Sequence, residues 1–447
     1  MSTIRTPDLQ RGATGADDAD DAIEAVRQRA TPLTTDTVDD LAAHVADSTY
    51  VLLGESSHGT AEFHRWRARL TARLVEDYGF DVVAVEGDWT DCYEVNRYVR
   101  GETSPSGGAL DVLDEFDRWP TWLWANWETV EFVDWLRRIN DRRGEEDRVG
   151  FYGMDVYSLF ESMAAVVDYL EDVDPAAADR AREAYACFEP YSEDGQSYAR
   201  DLRLAPEDCE DEVVDVLQRL SHDVRGNEVR EDSFAAEQNA LVAKNAEAYY
   251  RSMIQADVES WNVRDEHMVE TLERLRSHYG PDSTVIVWAH NTHVGDARAT
   301  DMARRGEVNV GQLIREQVGP DEASIVGFGT ERGSVVAADA WGEPAEVMSV
   351  PPAKAGSYES VFHRAGVGDS SIAFDRDEEG PLAEPRGHRA IGVVYHPKRE
   401  LGNYVPTVLP DRYDAYVHVD ETTALHPLHA EPEADDREPP ETYPWGV

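Results

Sequence analysis

Glu55 and His58 stand three residues apart in the stretch T-Y-V-L-L-G-E-S-S-H-G-T-A-E-F-H-R-W-R, residues 49–67. A carboxylate beside an imidazole is a small unit of acid–base chemistry. The acid fixes which ring nitrogen carries the proton, and the other nitrogen is left to accept one. On this reading His58 takes a proton from water and Glu55 holds its tautomer. Arg67, nine residues beyond His58, steadies charge that develops on the substrate oxygen. Three further places offer titratable groups straight after apolar runs. These are Glu86 after D-V-V-A-V, Asp155 after V-G-F-Y-G-M, and His290 with His293 after T-V-I-V-W-A. Singly such residues are commonplace; a Glu there is often a helix N-terminal acid, stabilised by ~0.3–1 kcal/mol. If the four runs are parallel neighbours, their acids and imidazoles converge on one sheet edge.

The elements that must position them are legible from apolar spacing. Tyr50–Leu53 is a continuous apolar run without alternation, the pattern of a strand buried on both faces. From Thr60 onward Phe63, Trp66, Leu70, Leu74 and Val75 recur at helical spacing. The Glu55–His58 turn therefore lies between a buried strand and a helix, where ligands bind in open α/β sheets. Further buried strands are expected at Asp81–Val85, Val149–Met154 and Thr284–Ala289. Others are expected at Ala323–Phe328, Ser334–Ala337, Ile372–Phe374, Ala390–Tyr395 and Ala415–Val419. Helices are expected at Ala22–Arg29, Val38–Val45, Asp91–Val99, Val130–Ile139 and Leu313–Val318. Between 159 and 278 almost everything reads as helix, at roughly 159–171, 176–188, 208–224, 233–256 and 259–278, with Pro175, Pro190 and Pro206 as breaks. The expected class is α/β: a mainly parallel central sheet flanked by helices, with a helical insertion at about 158–280. Residues 1–34 read as an acidic tail and start, 35–428 as one α/β domain, and 429–447 as a loose, acidic, Pro-rich tail. Five tryptophans between Trp119 and Trp135 either line an apolar cleft or pack a helix onto the sheet, and stripes at helical spacing usually do the latter.

Charge narrows the setting. The 447 residues carry 42 basic and 90 acidic side chains, a formal charge of −48, and only Lys244, Lys354 and Lys398 among the basic ones are lysine. A hydrophobic content of 41% still supports a core, so this is not a disordered acidic chain. Acids spread along the whole length suggest a high-salt, halophilic cytoplasm, where repulsion is screened over ~3 Å at 1 M. Nucleic acid and anionic membranes are poor partners for such a surface. Cys92, Cys187 and Cys209 form no CxxC and give neither a disulfide framework nor a zinc site by spacing. No apolar run approaches membrane-spanning length and no signal segment opens the chain, so a soluble, cytoplasmic protein is expected.

Other chemistries are disfavoured by pattern. Ser56 and Ser57 lie in no G-x-S-x-G, because His58 takes the place of the second glycine. There is no P-loop and no dinucleotide fingerprint after a strand, so no cofactor is expected. His290 and His293 with an acid or with His58 would suit zinc, but H-x-x-H on a loop is not the helical H-E-x-x-H of metalloproteases. Metal-dependent hydrolysis stays open beside direct attack by an activated water.

The sequence G-E-S-S-H-G-T-x-E-F, then A-V-E-G at 84–87 and A-H-N-T-H at 289–293, resembles the erythromycin esterase family. W-x-W-x-N-x-E at 122–128, G-M-D at 153–155, R-D-x-x-M at 264–268 and I-G-V-V-Y-x-P near the end fit the same pattern. The resemblance spans about 35–428. It implies a carboxylic ester or lactone hydrolase that opens a macrolide ring with water and no covalent acyl-enzyme, an activity tied to antibiotic response. It also implies an α/β core with a helical insertion. His58 matches the family's proposed general base; Glu55, Arg67, Glu86 and His290 match the other members of its site, with His293 beside it. Thr271 stands where asparagine is expected after R-D-x-x-M-x-E. A small-molecule ester, lactone or amide other than a macrolide is an equal expectation for substrate. A metal- or haem-binding role is the alternative, since related proteins share the G-E-x-x-H core.

Overall fold

The computed structural model describes residues 16–191, 231–253 and 257–429, together with Cys209, Val213, Val214, Val216, Leu217 and Leu220. The expected tails before residue 16 and after 429, and most of the expected helix at 208–224, lie outside these residues. The chain divides into two compact units. Among described residues the first comprises 16–83, 98–150 and 282–429, and the second comprises 84–97 and 151–281 apart from the gaps above.

Eleven strands are described: β1 (Thr31–Pro32), β2 (Tyr50–Leu53), β3 (Val82–Asp88), β4 (Gly150–Asp155), β5 (Val285–Trp288), β6 (Ala323–Ala338), β7 (Ala345–Val350), β8 (Ser370–Ala373), β9 (Arg386–Arg389), β10 (Tyr404–Thr407) and β11 (Ala415–Thr422). In the first unit the sheet order runs β1, β8, β11, β6, β2, β5. The neighbours β11–β6, β6–β2 and β2–β5 are parallel, whereas β8 runs antiparallel to β11, and β7 antiparallel to β6. This is the mainly parallel α/β sheet that the apolar runs implied. Tyr50, Val51, Leu52 and Leu53 are all buried, as a strand with helices on both faces requires. Each such side chain contributes ~1.5–3 kcal/mol relative to exposure. The register sets Leu53 beside Trp288 on β5 and Val326 on β6, so the segments after β2 and β5 leave the sheet side by side.

Several boundaries depart from expectation for physical reasons. The expected strands at 323–328 and 334–337 are one strand of 16 residues, since β2, β7 and β11 pair with successive parts of it. Ala390–Tyr395 is not a strand. It makes only single bridges, Ile391 to Ser57 and Val394 to Ala338, and its apolar side chains are buried as packing. Arg386–Arg389 is the strand there instead, paired with β10. The first helix begins at Ala16, inside the expected tail. Pro175 stands at the expected break and itself opens the next helix: it follows the cap Asp174, whose carboxylate accepts from the Ala176 and Ala177 amides, and a proline at the first turn leaves no amide wasted.

In the second unit, helices Leu159–Val173, Pro175–Tyr185, Glu231–Ser252 and Asp257–Tyr279 are described, and Leu159, Met163, Val166 and Leu170 bury one face against Ala243, Ala246 and Tyr249. Cys187 and Cys209, which spacing alone left unpaired, form a disulfide, with Cα atoms 6.1 Å apart. They stand 22 positions apart, so the pairing depends on how the chain folds back and carries no short-range signature.

Candidate active site

The turn after β2 is held by backbone from three distant segments. Val336 and Leu425 amides both donate to Gly59 O at 3.0 Å, and the Ile391 amide donates to Ser56 O at 2.8 Å. A β-carbon at Gly59 would come within 1.9 Å of Val336 O, so no larger residue fits there. Beyond β11 the segment to Leu428 continues as a strap: Thr423 O accepts from Ala61, His426 O from Trp127, and Leu428 N donates to Ala125 O.

On that fixed turn His58 donates from Nδ1 to Glu55 Oε1 at 3.0 Å, and both side chains are buried. The ring is thereby held with Nε2 as its acceptor. The other Glu55 oxygen accepts from Arg67 Nη2 at 2.5 Å. Arg67 reaches it because helix Ala61–Asp77 turns Phe63, His64, Arg67, Leu70, Thr71 and Leu74 inward. The guanidinium is wholly buried and lies 5.0 Å over the Trp288 ring.

His64 escaped the sequence reading. It sits one helical turn before Arg67 and accepts from Arg67 Nη2 at Nδ1, 3.1 Å away, with the Trp124 ring at 5.9 Å. Burial, then the adjacent Arg67 charge, holds its pKa well below the usual histidine value. The signal was there: a histidine and an arginine three apart on an otherwise apolar helix face.

His290 caps a short helix, Asn291–Val294, and His293 lies within it, rather than both lying on the expected loop. The Thr292 amide can only donate, and it points at His290 Nδ1 (3.3 Å), which also meets Thr292 Oγ1 at 2.8 Å. A neutral His290 therefore carries its hydrogen on Nε2. Its ring centroid is 4.8 Å from that of His58. The Asn291 amide donates to Glu55 O at 2.8 Å, tying the two strand ends together. His293, one turn further, is buried.

Glu86 belongs to the second unit and lies inside β3 rather than beyond its end. Arg264 bridges it to Asp155, with Nη2 2.8 Å from Glu86 Oε1 and 2.7 Å from Asp155 Oδ2, and Nε 2.9 Å from Asp155 Oδ1. Tyr157 stacks on the guanidinium at 5.0 Å. All three charges are buried, so removing the shared cation leaves two acids facing each other. Arg264→Met is expected to destabilise by ~3–5 kcal/mol, read as a lower urea midpoint in molar KCl. Arg264→Lys should recover little, because an ammonium lacks the fork that spans both acids.

The tryptophans divide. Trp119 and Trp122 pack in a buried cluster with Val336, Val393 and Leu425. Trp127 is about half exposed and, with Phe132, Trp135, Arg65 and Glu128, lines an open outer groove of 810 Å³.

The sequence model of the erythromycin esterase family matches residues 75–422, and the chain belongs to that family. A Bacillus subtilis (strain 168) protein named "Putative hydrolase YbfO" is 20% identical over 394 residues, covering 83% of each chain. Erythromycin esterase type II of Escherichia coli is 27% identical over 149 residues, 32% of this chain and 33% of that one. Among solved structures, one titled a succinoglycan biosynthesis protein superposes with TM-score 0.76 at 18% identity, covering 92% of this chain and 100% of its own. A mutant of erythromycin esterase EreC in its open conformation gives TM-score 0.66 at 16% identity, covering 88% and 97%. At these identities the structures share the fold.

Proposed function

We propose that the chain hydrolyses carboxylic esters or lactones by direct attack of water, with His58 as general base. The buried Glu55–His58 pair, faced by the His290 ring, is the observation that carries this reading. Water gives a proton to His58 Nε2 as its oxygen bonds to the carbonyl carbon. The carbonyl electrons move onto oxygen, and the His290 Nε2–H is the donor offered to that oxyanion. Collapse breaks the bond to the leaving oxygen, which takes the proton back from His58. Arg67, expected at the oxyanion, is instead buried against Glu55, and the two hold the base in orientation. The family resemblance also marks His293 and, in the second unit, Glu86. The family and the hydrolase name of its Bacillus subtilis relative support the class, and the name of the Escherichia coli relative supports esters as the bond. A macrolide is one candidate substrate among other esters and lactones.

The test is a panel of esters and lactones, macrolides included, assayed in molar KCl. Turnover without a pre-steady-state burst is expected, because no acyl-enzyme forms. A stoichiometric burst, or no hydrolysis across the panel, would sink the reading. Activity should also survive prolonged chelation, since among the described residues no three His, Cys, Asp or Glu side chains gather as a metal-holding group. Loss with EDTA that one added divalent ion restores would move the assignment to metal-assisted hydrolysis.

A further inference from the structure

Behind the short helix that carries His290, a buried polar chain runs from Asn291 to a carboxylate on another element. The Asn291 side chain has one possible orientation. Its Nδ2 donates to Phe328 O at 2.7 Å while its Oδ1 accepts from the Phe328 amide at 3.3 Å, so a flipped amide would set like against like at both contacts. The same Nδ2 meets His388 Nε2 at 3.3 Å, which makes that nitrogen the acceptor. His388 must then carry its hydrogen on Nδ1, and there it faces Glu359 Oε1 at 2.6 Å. Glu359 Oε1 also accepts from the Arg389 amide at 2.7 Å. The His388 and Glu359 side chains are almost wholly buried.

The far end of this chain grips both site segments. The Asn291 amide holds Glu55 O, and Arg412 Nη2 holds Asn291 O at 2.8 Å. The Asn291 side chain lies so close to Gly54 that a β-carbon there would meet its Oδ1 at 2.1 Å. Asn291 thus occupies the space between the turn bearing Glu55 and His58 and the helix bearing His290. Its orientation is set by Phe328 on one side and by the protonation state of His388 on the other.

We infer that Glu359, His388 and Asn291 form a positioning relay that fixes the His290 helix against the Glu55–His58 turn. Glu359 selects the His388 tautomer, His388 accepts from Asn291, and Asn291 sets the spacing of the two imidazoles. None of the three touches substrate. The inference rests on taking those two segments as the catalytic edges, and one arm of its test needs no substrate.

That arm is nitrogen-15 NMR of the full chain with labelled histidine, in molar KCl. His388 is expected as a neutral ring protonated at Nδ1. Glu359→Gln keeps an acceptor oxygen for both His388 and the Arg389 amide, and should leave the His58 and His290 signals in place. Glu359→Leu and His388→Phe, checked for folding by circular dichroism, should shift both. In the second arm, on any ester the parent hydrolyses, His388→Phe is expected to lower kcat by about 10²-fold, the scale of a ~1 Å misplacement. KM should stay within about twofold, and Glu359→Gln should retain kcat within about threefold. A doubly protonated His388 in the parent overturns the relay. So do His58 and His290 signals unmoved in folded Glu359→Leu and His388→Phe, or a Glu359→Gln as impaired as Glu359→Leu. If the parent hydrolyses nothing, the hydrolase reading fails and the NMR arm alone decides the relay.

Discussion

His58→Ala is expected to abolish measurable hydrolysis, with a loss beyond the ~10²–10⁴-fold typical of a general base. The reason is that water is the only nucleophile in the scheme, and nothing else in the turn is oriented to take its proton. At 1.36 kcal/mol per decade the expected loss exceeds ~3–5 kcal/mol of transition-state stabilisation. Glu55→Gln separates two roles of one side chain. Glutamine still offers an oxygen to His58 Nδ1, so the rate should fall less. It also takes the negative charge away from the buried Arg67 guanidinium, the costly half of breaking a buried pair. The variant should therefore lose more in melting temperature than in kcat. Steady-state rates beside thermal melts of both variants make the comparison. If His58→Ala and Glu55→Gln both keep parental rates on a substrate the parent turns over, the site is elsewhere.

Dialysis into low salt is expected to unfold the protein, and concentrated KCl to restore it. With 90 acids against 42 bases, a formal charge of −48 stays uncompensated however the side chains pair. At 0.01 M salt the screening length is ~30 Å and much of the surface repels itself, whereas at 1 M it is ~3 Å and only near neighbours interact. Self-repulsion opposes the compact state, and folding margins are only ~5–15 kcal/mol. Circular dichroism against KCl concentration reads the effect. A melting temperature flat from low to molar salt would mean that the acids are arranged without net repulsive cost, and the high-salt habitat would lose its support.

The sequence alone makes legible whatever depends on neighbours along the chain. The Glu55–His58 turn was legible because an unbroken apolar run stops at Gly54 and a helical repeat starts at Thr60. His64 was hidden because a polar residue on an inner helix face looks like an interruption of the pattern, and its reason for being there, Arg67, looks like another. Glu86 was expected at a strand end because a charge normally marks one. The strand continues through it because Arg264, 178 positions away, neutralises it, and periodicity has no access to such a partner. Ala390–Tyr395 failed differently: a continuous apolar run records burial, and burial without a ladder looks the same. Glu359 and His388 carry no local signal at all, since one lies between Tyr358 and Ser360, the other between Gly387 and Arg389, and they meet only through the fold.

The hydrogen bonds on Gly59 also set an order of events during synthesis. The turn is made early, but its carbonyl waits for the amides of Val336 and Leu425, and the Ser56 carbonyl waits for Ile391. At about 5–20 residues per second, roughly 20–70 s separate the emergence of Gly59 from that of Leu425. A nascent chain therefore carries both halves of its acid–base pair long before the backbone that immobilises them exists. On the proposed reading competence arrives with the last strap rather than growing with the chain, and chains truncated before Leu425 are expected to be inactive.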